Sequence, residues 1–590
     1  MKPLLLKFLK WRNLHVSNKI FVLVLSILIG LCAGIAAVIL KTLTHYIREK
    51  IVKNYEDPNE NYLFFALPII GILLTVLFFK YFIKEKAGHG VSSILFAISK
   101  RKGFLKRHKM YSSVIGGAFT VGFGGSVGLE APIVSTGSAI GSNIGKFFKM
   151  EYKYILLLIG CGATGAIAAI FNAPIAALVF ALEVLMLDLT MASLIPLLMS
   201  SITGTVTAKL FFGEDILFNF KIQDAFVASD VPFFIILGLL CGLVSFYFTR
   251  TEMFIEKQIK LVRNDYVRAL VGSMLLGLTI FLLPPLYGEG YDSISLLIAE
   301  VPGRLLEHSF VFHLRQNEYI VVAFLLLAIL IKPIATALTI GSGGSGGVFA
   351  PSLLMGGITG FLCARVINMM HLPFTISETN FTLAGMAGLM AGILHAPLTA
   401  MFLIAELTGG YELIVPLMIT SGISLITAKY FEPHSIYTKR LAEKGQLITH
   451  HKDKAVLTLM RIKEVIEDDF EKVNPEDSLG KLIKVVARSK RNIFPVVDDQ
   501  NHFLGIVLLD DIREIMFSPE QYDSIKVDDI LSLAPAHLSV SDSMENVMDL
   551  FTETGAWNLP VLEEGKYQGF ISKSKMFSAY RNVLMDFSQD

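Results

Sequence analysis

The stretch FNAPIAALVFALEV at 171–184 recurs as LHAPLTAMFLIAEL at 394–407. Asn-Ala-Pro pairs with His-Ala-Pro, and Glu183 pairs with Glu406. A similar offset sets GSVGLEAP (125–132) beside SGGVFAP (345–351). Two related halves, each made of apolar segments broken by Gly and Pro, point to a repeated membrane fold with its site near the bilayer midplane. The repeats by themselves leave open whether the halves are inverted. Composition calls for the bilayer: 53% of residues are hydrophobic, 17% are charged and the mean hydropathy is +0.58, against about 25% charged in soluble chains. Runs such as KIFVLVLSILIGLCAGIAAVIL (19–40) meet the need for about 20 apolar residues.

A net charge of +1 gives nucleic acid nothing to bind. The four cysteines, Cys32, Cys161, Cys241 and Cys363, lie in apolar runs without a CxxC pair. Neither a disulfide framework nor a metal site is expected. No cleavable leader is read at the N-terminus. Lys7, Lys10, Arg12 and Lys19 there predict a cytoplasmic start by the positive-inside rule.

Composition changes near residue 440. The expected organisation is a cytosolic N-terminal segment (1–18), a membrane domain (19–440), a linker (441–456) and two soluble modules (457–519 and 520–590). RNIFPVVDDQNHFLGIVLLDDI (491–512) matches WNLPVLEEGKYQGFISKSKM (557–576). Each reads as strand, turn, strand and helix start, a tandem of small α/β units.

Glu130 is the one charged residue between Met110 and Gly145, and a carboxylate at bilayer depth costs a few kcal/mol, so it must face protein or water. Its flanking glycines break any helix before it, and Pro132 suits the first turn of one after it. Such a helix aims free N–H groups and a positive dipole end into the membrane, an anion site made without a buried Lys or Arg. Partial charges bind an ion and still let it leave. AGHGVSS (87–93), GSGGSGGVFAPSLL (341–354) and the Pro-led helix of 171–184 have the same form. Lys332, before Pro333, is expected to snorkel to a helix end.

These motifs together resemble the CLC family of chloride channels and chloride/proton exchangers. Gly128-Leu129-Glu130-Ala131-Pro132 matches its GxEGP, Gly347-Val348-Phe349-Ala350-Pro351 its GxFxP, and Gly88-His89-Gly90-Val91-Ser92 an altered GSGIP. Tyr437 in EPHSIYTKRL matches the pore tyrosine. The resemblance covers nearly all of 19–440, and the soluble part resembles the CBS-domain pair many members carry. It implies an all-α multi-pass membrane domain with broken helices plus a cytosolic α/β CBS pair. It also implies a homodimer in the lipid bilayer with one pore per subunit, here in a bacterial inner membrane with both termini cytoplasmic. No cofactor is required and no enzymatic activity is expected. Glu130 is then the gating glutamate, whose carboxylate competes with chloride until a proton removes it. His89, Gly90, Val348, Phe349 and Tyr437 are the implied chloride ligands.

Several residues depart from the family pattern. His89 stands where a serine hydroxyl usually helps hold the ion. It is read either as an N–H donor that adds pH sensitivity or as a ring turned toward backbone. That change keeps fluoride export open. Leu129 replaces a basic residue, Ala131 a glycine and Ser92 a proline. Val184 stands at the inner proton-relay position, where exchangers usually carry a second glutamate. Two readings remain: a passive channel, which is favoured, or an exchanger whose protons reach Glu130 through water, assisted by Glu183. Glu183 and Glu406 are themselves read as structural, each capping or bridging a helix.

The CBS modules hold incomplete halves of a ribose-binding G-x-x-[ST]-x-x-D pattern. The first supplies Asp511 without the hydroxyl, the second Ser572 with Lys575 in place of the acid. An adenine nucleotide between the modules and a purely structural role both remain open. A membrane enzyme using Glu130 and His89 lacks a nucleophile or metal cluster.

Overall fold

The computed structural model describes residues 2–51, 62–86, 90–100, 103–186, 191–213, 226–371, 373–443, 460 and 462–588. His89 and most of the expected linker lie outside the described residues. The chain divides into two compact units, 1–447 and 448–590.

The first unit is helical throughout. Its helices are α1 (Lys2–His15), α2 (Asn18–Ile51), α3 (Tyr62–Leu77), α4 (Gly90–Lys100), α5 (Lys109–Gly122), α6 (Glu130–Phe147), α7 (Tyr152–Phe171), α8 (Pro174–Glu183) and α9 (Met191–Phe212). The second half follows with α10 (Val231–Lys260), α11 (Asp265–Leu282), α12 (Tyr291–Ile298), α13 (Glu318–Gly341), α14 (Phe349–Met369), α15 (Glu378–Leu394), α16 (Pro397–Leu407), α17 (Ile414–Phe431) and α18 (Ile436–Ala442). Nine helical segments among the described residues are long and apolar enough to cross a membrane.

The two halves pack alike. α6 lies on α7 as α14 lies on α15, α2 on α9 as α10 on α17, and α3 meets its counterpart α11. α7 ends on Asn172 at φ 54° and α15 on His395 at φ 55°. In each case Ala-Pro then opens the next helix, with proline where no helical N–H partner is needed. Small residues let these buried helices touch: a Cβ on Gly137 or Gly162, or on Gly356 or Gly385, would drive into the facing backbone.

Two contacts show that the halves run in opposite directions. Gly128 and Gly347 form an antiparallel bridge, each N–H donating to the other's carbonyl at 3.0 Å. At the ends of α8 and α16 the carboxylates cap each other's helices. Glu406 accepts the N–H groups of Ile175 (3.0 Å) and Ala176 (2.8 Å). Glu183 accepts those of Leu398 (3.1 Å) and Thr399 (2.8 Å), with the Thr399 hydroxyl at 2.8 Å. Each pair joins the C-terminal end of one helix to the N-terminal end of the other, so α8 and α16 are antiparallel. The repeats are inverted, and both glutamates are helix caps.

The second unit carries two hairpins. β1 (Ile493–Val497) pairs antiparallel with β2 (Phe503–Leu508), and β4 (Asn558–Glu563) with β5 (Lys566–Ser572), while β3 (Leu538–Ser539) adds in parallel to β4. Both hairpins slip register at the same place, Val496/Val497 and Val561/Leu562. A helix follows each, at Leu509–Ile512 and Lys573–Ser588. The hairpins meet through Phe503 N–H to Gly565 O (3.1 Å) and Tyr567 N–H to Asn501 O (3.0 Å). The expected strand, turn, strand and helix order holds in both modules.

Candidate functional site

The starts of three helices converge. The Gly128–Gly347 bridge holds α6 and α14 nose to nose. A Cβ on Gly90 would stand 2.6 Å from the Ala131 carbonyl oxygen, so only glycine lets α4 begin this close to α6. Neither α6 nor α14 has a side-chain cap. Their first N–H groups are therefore left for something else. Proline at the third position of each, Pro132 and Pro351, removes no needed donor.

That something is Glu130. Its side chain is buried, and Oε1 accepts the Phe349 N–H at 2.7 Å. The backbone N–H groups of Ala350 and of Glu130 itself also face the carboxylate. Oε2 is buried with no protein partner. A Cβ on either Gly128 or Gly347 would collide with the carboxylate, so the paired glycines make the space it fills. Phe349 is fully buried, stacked on Phe171 (5.3 Å between centroids) and edge-on to Phe180 (6.4 Å), which fixes the donor.

Tyr437 is carried by α18. It is buried, its hydroxyl has no protein partner, and it lies within electrostatic reach of Glu130. α18 is moored on two sides. The Ser92 hydroxyl donates to the Tyr437 carbonyl at 3.1 Å, a bond the family's usual proline cannot make. Arg440 donates to Glu256 at 2.7 Å and to Glu252 on α10. Val348 is buried at the head of α14. The expected ligands Gly90, Val348, Phe349 and Tyr437 thus sit on the converging elements α4, α14 and α18.

Beside α4, α5 and α6 a cavity of 260 Å³ is lined by serines, by Lys86, Lys106, His108 and Lys109, and by the carboxylate of Glu85, which pairs with Lys106 and lies 3.3 Å from His108.

One expectation needs correction, and one residue of the site was missed. Lys332 does not snorkel: it is fully buried in α13, and its ammonium donates to the Ser126 hydroxyl at 2.7 Å. Ser126 in turn donates to the Leu286 carbonyl at 2.6 Å. α13 carries Lys332 too far inside for its side chain to reach water. Through Ser126 this buried amine backs the loop leading to Glu130. The missed residue is Glu289, whose Oε1 accepts the Leu129 N–H at 3.3 Å. Its signal was present in LYGEGYDS (286–293), a carboxylate between glycines like that of Glu130.

At the inner position Val184 is buried, and its N–H bonds Phe180 O at 2.9 Å. Both oxygens of Glu183 are occupied by α16. In the second unit, Asp511 is exposed on the short helix after β2, and Lys575 is exposed after β5. The Ser572 hydroxyl donates to Glu467, which also binds Arg491. No group of three or more His, Cys, Asp or Glu suited to a metal occurs among the described residues.

The family model described as voltage gated chloride channel matches residues 70–429, more than half of the chain, and the CBS domain model matches 462–518 and 527–582. The H(+)/Cl(-) exchange transporter ClcA of Vibrio cholerae is 28% identical over 433 residues, covering 71% of this chain and 89% of the relative. The putative chloride channel protein ClcB-like of Ralstonia nicotianae is 27% identical over 391 residues, covering 64% and 85%. In structure, a slow cyanobacterial Cl−/H+ antiporter superposes with a TM-score of 0.61 at 22% identity, covering 73% of this chain and 99% of the other. The inverted halves, the converging helix starts and these matches agree: the chain belongs to the CLC family of anion-transporting membrane proteins and carries a C-terminal pair of CBS domains.

Proposed function

We propose that the chain passes chloride along the path where α4, α6 and α14 begin, with Glu130 as its gate. One observation carries this reading: the Glu130 carboxylate takes the Phe349 N–H at 2.7 Å while Oε2 is left without a partner. A carboxylate held this way stands in for an anion. Protonation removes its charge and one acceptor, the side chain leaves, and chloride takes the N–H groups and the Tyr437 hydroxyl. Weak dipolar donors hold the ion without trapping it.

Transport is passive on this reading. Val184 cannot carry a proton, and the Glu183 oxygens are committed to α16. A second reading, chloride/proton exchange, is favoured by the similarity to the Vibrio exchange transporter. It needs a water route to Glu130. The working unit is a homodimer, as the family resemblance implies, in a bacterial inner membrane. Lys7, Lys10, Arg12 and Lys19 support cytoplasmic termini. The CBS pair acts as a structural module, since its one candidate ribose hydroxyl is bonded to Glu467.

The test is reconstitution in liposomes under a chloride gradient, following chloride release and external pH together. Chloride release without proton movement beyond the leak supports the passive reading. Protons driven uphill, and lost in Glu130→Gln, overturn it in favour of exchange.

A further inference from the structure

Glu289 lies between two glycines in left-handed conformations, Gly288 (φ 64°) and Gly290 (φ 86°). Its loop is bound to the one that carries Glu130. Gly288 N–H donates to Gly124 O at 3.2 Å, Ser126 donates to Leu286 O at 2.6 Å, and the Glu289 carboxylate takes the N–H of Leu129, the residue before Glu130, at 3.3 Å. Two carboxylates thus flank the start of α6, one on the Leu129 N–H and one on the Phe349 N–H.

The surroundings of Glu289 run from water to the gate. Asp292 on α12 and Arg48 on α2 are bonded to each other and exposed, with side chains 71% and 52% accessible. Arg48, Asp292 and Lys41 of α2 act on Glu289 electrostatically, as do Tyr291 of α12, Lys332 of α13 and Glu130 of α6. Glu289 is half-buried between the exposed pair and the fully enclosed Glu130.

We propose that Glu289 is a positioning and proton-transfer residue for the gate, receiving protons from the face that carries Arg48 and Asp292 and passing them to Glu130. Its negative charge also sets how acidic that face must be before the gate opens. The proton balance is simple. Glu289 takes a proton from water, its hold on the Leu129 N–H weakens, and the proton moves to the Glu130 carboxylate as that side chain leaves Phe349. Glu289 is then charged again and re-forms its bond to Leu129. Lys332, behind the loop, bonds Ser126 and lies within electrostatic reach of Glu289.

This inference rests on the reading of Glu130 as the gate, and the test separates the two. Chloride flux through the reconstituted full-length protein is recorded while pH is varied on the Arg48 face alone, for wild type, Glu130→Gln, Glu289→Gln, Glu289→Asp and Arg48→Gln. Loss of the neighbouring negative charge in Glu289→Gln requires about tenfold more protons for half-activation. Glu289→Asp restores the wild-type midpoint within about threefold. Arg48→Gln, at an exposed site where folding is not at stake, shifts the midpoint the opposite way. A Glu289→Gln midpoint equal to wild type, with pH dependence abolished in Glu130→Gln, overturns the role of Glu289 alone. An Arg48→Gln midpoint that does not move overturns it as well, even where Glu289→Gln fails to fold. Full pH dependence surviving in Glu130→Gln overturns the gate and this inference with it.

Discussion

Replacing Glu183 by Gln, with Glu406→Gln made in parallel, separates a helix cap from a proton relay. Glu183 holds two N–H groups and one hydroxyl at the start of α16, and Glu406 holds two N–H groups at the start of α8. Glutamine keeps one oxygen but turns the other into a donor facing a donor. Each change therefore loses at least one charge-assisted bond of about 1.5–3 kcal/mol. It also loses about 0.3–1 kcal/mol of attraction to the helix dipole. Each variant should be about 2–4 kcal/mol less stable, with Glu183→Gln slightly the worse because of its third donor. The assay is the unfolding midpoint in detergent, paired with chloride and proton flux in liposomes. Two caps predict matched losses of stability and no selective change in proton movement. Wild-type stability in Glu183→Gln together with altered proton movement, absent from Glu406→Gln, would refute the structural argument and favour exchange.

Three other perturbations probe separate parts of the account. Gly347→Ala puts a methyl where the Glu130 carboxylate rests, so chloride flux at alkaline pH should rise toward its acid value; unchanged pH dependence would count against the closed geometry. Arg440→Met leaves Glu252 buried without its cation and should cost about 3–5 kcal/mol, read as an unfolding midpoint and partly recovered by adding Glu252→Gln. Titration of ATP or AMP into the full-length protein should give no saturable heat, because Ser572 is bonded to Glu467; saturable binding that disappears in Ser572→Ala would contradict this.

The parts of the site that could be read from the chain are those governed by neighbouring residues. Gly-Leu-Glu-Ala-Pro and Gly-Val-Phe-Ala-Pro announce helix starts through the local limits of Gly and Pro, and both starts appear where those limits require. The repeat at 171–184 and 394–407 foretold two matched helices, and the capping role expected of Glu183 and Glu406 follows from their positions at the helix ends. Direction was not legible, because antiparallel packing becomes visible only when Gly128 meets Gly347. Lys332 and Glu289 were misread or missed for the same reason. Their partners, Ser126 and Leu129, stand 206 and 160 residues away in the chain. Periodicity around Lys332 says that it is intramembrane, but not that a serine hydroxyl waits for it on another element.

The most direct test of the central claim, that Glu130 and chloride compete for the same backbone donors, is anomalous diffraction from crystals soaked in bromide. Wild type and Glu130→Gln would be compared at alkaline and acid pH. The account predicts a bromide within hydrogen-bond distance of the Phe349 nitrogen in Glu130→Gln at both values, and none there in wild type at alkaline pH while the carboxylate holds that N–H. A bromide on the Phe349 nitrogen of the wild-type protein with the Glu130 carboxylate still in place, or none there in Glu130→Gln, would contradict it.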